Sequence, residues 1–128
     1  MERRYDIESI DTIDKSILEV VDYEYKGKQA EVLISTEEFT SVCPWSGLPD
    51  FGEIIIEYIP QNTLIELKSL KFYLLSYRNV GILQEHAVNQ ILKDLVQVCN
   101  PLKMKVKGVF NLRGGLKTEA SVKYEKES

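Results

Sequence analysis

The stretch ILQEHAVNQILKDLVQVCNPLKMKVKGVF, Ile82–Phe110, changes its hydrophobic period halfway along. From Ile82 to Cys99, Leu83, Ala87, Ile91 and Leu95 recur every four residues, flanked by Val88, Leu92 and Cys99, which is the stripe of an amphipathic helix. At 100° per residue, Glu85 falls at the margin of that stripe and His86 projects from the polar side. Asn100-Pro101 ends the helix, because proline disfavours helical backbone in the residue before it and lacks a donor of its own. Beyond it the period drops to two: Met104 and Val106 alternate with Lys103, Lys105 and Lys107, as in a strand with one wet face. A loop with Arg113-Gly114-Gly115 leads to KTEASVKY, Lys117–Tyr124, and Gly-Gly between alternating runs predicts an antiparallel hairpin. A helix feeding a hairpin is the closing half of an α+β domain.

The opening half mirrors it. QAEVLIS, Gln29–Ser35, reads as a strand, and EIIIEYI, Glu53–Ile59, as a second whose Ile54-Ile55-Ile56 run suggests burial on both faces. Between them Pro44, Gly47, Pro49 and Gly52 punctuate a loop. After PQNT, the segment LIELKSLKFYLLSYRNVG starts strand-like and turns helical around Lys68, with a stop near Gly81. The order ββααββ predicts one four-stranded antiparallel sheet with a helix pair on one face. Residues 1–28 mix charges with one weakly amphipathic stretch. They read as a leader that packs on the surface or at a subunit boundary, ahead of a core over residues 29–124.

A chain of 128 residues, 44% of them hydrophobic, suits a single domain with its own core. Its net charge of −4 offers no field to attract nucleic acid or anionic lipid. No secretory h-region and no long apolar run is present, so the expectation is a cytoplasmic protein without a membrane partner. Two cysteines are too few for a disulfide framework, and one histidine with two cysteines is poor material for a metal site.

Four groups of residues could carry chemistry. Cys43 sits in EFTSVCPWSGLPDFGE, Glu38–Glu53, with Asp50 on the same punctuated segment. A thiolate nucleophile with a carboxyl to move protons fits that arrangement, while a buried cysteine and a turn-forming aspartate are the ordinary alternatives. Cys99, on the helix stripe, reads as core. Lys68 and Lys71 lie i, i+3 on one helical face, where they could grip a phosphate or simply be solvated, and Arg113 beside two glycines could add an anion contact. Glu85, at a stripe's edge where a carboxylate can be half-buried, could accept two parallel N–H bonds from a guanine-like edge, or be a surface glutamate.

EFTSVCPWSGLPDF, ELKSLKFYLLSYRN, QEHAVNQILKDL and RGG, in this order, resemble the NADPH-dependent 7-cyano-7-deazaguanine reductases. These are nitrile reductases of the tunnelling fold, shared with GTP cyclohydrolase I. The likeness runs from about Glu38 to Tyr124 and is to the short, single-module form. It implies that Cys43 attacks the nitrile carbon to form a thioimidate and that Asp50 donates the proton to nitrogen. NADPH would supply two hydrides, giving 7-aminomethyl-7-deazaguanine for queuosine biosynthesis. By the same resemblance Glu85 recognises the base edge, and Ile65, Glu66 and Leu67 line its pocket. Lys68, Lys71 and, less directly, Arg113 face the cofactor's phosphates. Trp45 is pocket wall. Gln84 stands where the reductases commonly have histidine; it can hold a hydrogen bond but donates no proton as imidazolium. The resemblance also implies a homo-oligomeric ring, a pentamer or a doubled decamer. Two rivals share parts of this pattern: a reductase-like amidinotransferase acting on the same nitrile in transfer RNA, and a catalytically silent purine- or pterin-binding ring protein.

Overall fold

The computed structural model describes residues 6–127. The strands are β1 (Val20–Asp22), β2 (Val32–Val42), β3 (Pro49–Ile59), β4 (Thr63–Ile65), β5 (Lys103–Arg113) and β6 (Leu116–Glu125). The helices are α1 (Leu67–Leu75) and α2 (Gln84–Cys99). The main sheet is antiparallel in the order β2-β3-β5-β6, and β1 pairs with β4 in a small second ribbon. Ile54, Ile56 and Tyr58 of β3, with Met104, Val106 and Phe110 of β5, point to the face that α1 and α2 cover. Against them lie Leu70, Tyr73, Ala87, Val88, Ile91 and Leu95. This is the α+β sheet with a helix pair on one face.

The details depart from the sequence reading in instructive places. Ile55 is only half-buried, so β3 alternates and does not bury both faces. The loop between the first two long strands shrinks to Cys43–Leu48, because β2 runs on to Val42 and β3 already begins at Pro49. Pro49 is tolerated as a strand's first residue. Gly52 is not a loop residue: a Cβ there would sit 2.7 Å from the carbonyl oxygen of Val109, so the glycine lets β3 and β5 approach. Residues 6–28 contribute β1 and two short 3-10 turns, and they place Leu18 in the core and bury Tyr23. At the β5–β6 hairpin, Gly114 and Gly115 both have positive φ, 58° and 81°, as the favoured tight turn requires.

α1 ends at Leu75, well before Gly81, because the chain that follows is fastened to β2. The Val42 N–H donates to the Val80 carbonyl at 3.0 Å, and the Ile82 N–H returns to the Val42 carbonyl at 3.1 Å. These two bonds set the start of α2 beside the end of β2. α2 closes on Asn100 in the left-handed conformation, φ 47°, directly before Pro101. A buried polar knot ties the helices together. Asp94 accepts from the Tyr73 hydroxyl at 2.6 Å and from the Gln90 amide at 3.0 Å, and the Tyr77 hydroxyl lies 2.7 Å from that of Tyr73.

Candidate active site

Cys43 opens a single helical turn. Its carbonyl accepts from the Gly47 N–H at 2.9 Å, and its own N–H donates to the Leu48 carbonyl at 2.9 Å. The sulfur therefore occupies the place of a helix-capping side chain. It receives hydrogen bonds from the Ser46 hydroxyl and from the backbone N–H groups of Ser46 and Trp45. Partial burial pushes its pKa up, but those bonds and the nearby Arg113 charge together outweigh burial. The Cys43 thiol lies below the ordinary thiol value.

Asp50 is 6% exposed and sits in β3, on the face toward the helices. Burial pushes its carboxyl above the ordinary range, against the opposing charge of Arg113 and a hydrogen bond from Gln84. Arg113 Nη1 reaches the Asp50 carboxylate at 2.9 Å, and its Nη2 reaches Ser46 Oγ at 3.4 Å. Cys43, Ser46, Asp50, Gln84 and Arg113 thus form one cluster, drawn from the β2–β3 turn, β3, the start of α2 and the end of β5.

Two β-bulges assemble it. Thr36 pairs with Ile54 and Phe39 with Gly52, so β2 carries one extra residue there. Without it, Phe39 and Ser41 would point away from the helices; with it they point inward. Phe110 pairs with Thr118 and Arg113 with Leu116, so β5 has an extra residue too, which turns Arg113 to the same side as Asp50. Bulges re-aim side chains in this way at sheet rims. Ser41, the cross-strand partner of Asp50, is fully buried and its hydroxyl has no hydrogen-bond partner among the described residues.

The other candidates lie apart from this cluster. Ile65 is buried in the core, and its N–H donates to the Tyr58 hydroxyl at 3.1 Å. Glu66 caps α1: its two carboxylate oxygens accept from the N–H groups of Lys68 at 2.7 Å and Ser69 at 2.8 Å, which holds its pKa low. Leu67, Lys68 and Lys71 are exposed on the first turns of α1. Lys71 edges a groove of about 370 Å³ between α1 and β2, which Arg78 also lines. Glu85 is exposed at the start of α2, and His86 is exposed beside it. Ser46 is the participant that sequence reasoning missed. Its signal was position alone, three residues after a cysteine in a punctuated turn. Arg113, read first as an anion contact, is engaged with Asp50.

Comparison with known proteins follows the same lines. The family model described as QueF-like protein matches residues 49–128. The NADPH-dependent 7-cyano-7-deazaguanine reductase of Caldanaerobacter subterraneus subsp. tengcongensis is 56% identical over 98% of this chain and 94% of its own length. That of Chlorobaculum tepidum is 48% identical over 89% of this chain and 97% of its own. Among solved structures, the apo form of the archaeosine synthase QueF-Like superposes with a TM-score of 0.72 at 27% identity, covering 79% of this chain and 99% of that one. The arrangement of sheet and helices is the tunnelling fold. With a half-buried thiol set against a buried carboxyl and relatives alike over nearly the whole chain, this protein belongs to the QueF-like family, together with the 7-cyano-7-deazaguanine reductases.

Proposed function

We propose that this protein is an NADPH-dependent 7-cyano-7-deazaguanine reductase acting in queuosine biosynthesis. The observation that carries the reading is the single cluster in which Cys43 and the buried Asp50 are joined through Ser46 and Arg113. The likeness to reductases at 56% identity gives that chemistry its substrate.

The residues act as follows. The Cys43 thiolate adds its electron pair to the nitrile carbon, forming the C–S bond of a thioimidate. One π pair of the C≡N bond moves to nitrogen, which takes the Asp50 proton. Gln84 donates to the Asp50 carboxylate and orients it; a neutral amide suits that task, and protons come from Asp50 itself. Glu85, exposed on α2, accepts the paired N–H groups of the base edge, with Leu67 contributing apolar wall and Ile65, buried in the core, supporting it from beneath. Glu66 serves mainly through the helix start it caps. NADPH, when bound, supplies hydride to the carbon that sulfur has activated. The exposed ammonium groups of Lys68 and Lys71, one helical turn apart, suit its phosphates. Arg113 acts on Asp50 in preference to the cofactor.

β2 and β6 are the two edges of the main sheet, and edge-to-edge pairing between copies would close a ring. We expect a pentamer or a doubled decamer, with Glu85 and α1 meeting the Cys43 cluster of a neighbour.

The test follows NADPH absorbance with 7-cyano-7-deazaguanine. Two NADPH should be consumed per nitrile, and none by Cys43→Ser. Consumption that survives Cys43→Ser sinks the covalent mechanism. No consumption by the native protein would favour the transferase or silent-binder reading.

A further inference from the structure

We propose that Ser46 is a positioning residue for the reaction proposed above, on which this role rests: its hydroxyl links the Cys43 sulfur to the guanidinium that holds Asp50. A serine hydroxyl has one hydrogen to give and lone pairs to receive. Here both are used in a consistent direction. The oxygen accepts from the Leu48 N–H at 3.2 Å and from Arg113 Nη2 at 3.4 Å, which leaves the hydroxyl hydrogen for Cys43 Sγ, while Nη1 holds Asp50 at 2.9 Å. The planar fork of arginine fixes the angle between those two contacts, which a lysine at this place would not do. The β5 bulge brings Arg113 to this side of the sheet, so the linkage depends on a built feature of the fold.

The chemistry needs such a link. Sulfur carries negative charge twice in the cycle: before it adds to the nitrile carbon, and when the C–S bond breaks and its electron pair returns to sulfur. Many thiol nucleophiles have an imidazolium beside them for this purpose. The single histidine of this chain, His86, is exposed on α2, and Gln84 is spent on Asp50. Ser46 passes the field of Arg113 to the sulfur in its place, and it keeps nucleophile and acid in one hydrogen-bonded frame.

The full-length protein and its Ser46→Ala and Ser46→Thr variants would be treated with iodoacetamide at neutral pH, with labelling at Cys43 followed by mass. Ser46→Ala should slow labelling roughly threefold or more, because losing the hydroxyl raises the thiol pKa and lowers the thiolate fraction, and Ser46→Thr should stay within about twofold of native. In turnover, Ser46→Ala should lower kcat while leaving KM for the nitrile nearly unchanged. Native-rate labelling of Ser46→Ala overturns the proposal. So does a Ser46→Thr variant as slow as Ser46→Ala at an unchanged melting temperature. Labelling requires no nitrile and no NADPH. A native chain that labels as expected but reduces nothing therefore refutes the proposed function and leaves the Ser46 linkage standing.

Discussion

Cys43 and Cys99 are the same side chain put to opposite uses. Cys99 ends α2, is 1% exposed, and has its thiol pushed up to about 12 by burial, only partly offset by a backbone hydrogen bond. Cys43 is also partly buried, yet four hydrogen-bond and charge contacts turn the balance the other way. Burial alone makes a thiol inert. A turn that aims N–H groups and a hydroxyl at the sulfur favours its thiolate. The difference lies in the backbone around each residue, and it is a difference that experiment can probe from both ends.

The largest expected effect is on Cys43 itself. Cys43→Ser should abolish nitrile turnover and remove all iodoacetamide labelling from the folded protein, because Cys99 stays silent; label on Cys99 without denaturant would break the contrast. Next comes the acid. Asp50→Asn should cost about 10²-fold or more in turnover, the usual worth of a positioned general acid. The native rate should fall as pH rises through the Asp50 pKa, since only the protonated carboxyl donates. Arg113→Gln removes the charge that lowers this pKa, so the falling limb should move to higher pH; movement to lower pH would contradict the 2.9 Å pairing.

The third effect is on Cys99 and the polar knot that anchors the same helix. Asp94→Ala leaves the hydroxyl hydrogen of Tyr73 buried without its acceptor while Tyr77 keeps its bond to Tyr73, a loss of about 2 kcal/mol. Opening of α2 should then become more frequent, and Cys99 should label about 30-fold faster if the opening is local and shares that cost. Unchanged labelling would show that α2 is held by its apolar face alone. Smallest of all, Cys99→Ala should cost roughly 1 kcal/mol by thermal melting, from lost core packing, with turnover unaffected.

Much of this protein could be read in its sequence, for physical reasons. The α2 stripe and the β5 alternation are periodic, so Ile82–Cys99 and Lys103–Phe110 emerged close to their observed bounds. Asn100-Pro101 and Gly114-Gly115 mark backbone that few other residues adopt. Strand ends were harder. Pro49 and Gly52 look like loop residues, and only the partner strands reveal one as a strand start and the other as a point of close approach. The site was legible as residue types, Cys43 with Asp50, but the contacts that tune them were not. Arg113 meets Asp50 across about half of the chain's length, and Ser46 matters only because the turn folds back on the sulfur. Asp94 lies on the helix stripe but is polar, so a period that counts apolar residues does not mark it and cannot see a tyrosine partner elsewhere.

The extra residue in β2 has a consequence for inheritance. A strand flips its side chains with each residue gained or lost, so dropping one amino acid between Thr36 and Phe39 would restore a regular ladder and turn Phe39 and Ser41 outward. Such a deletion alters no functional group and shortens the chain by less than one per cent, yet it would remove two buried side chains from the face that carries Asp50. Length at that spot shapes the site as directly as the residues placed in it.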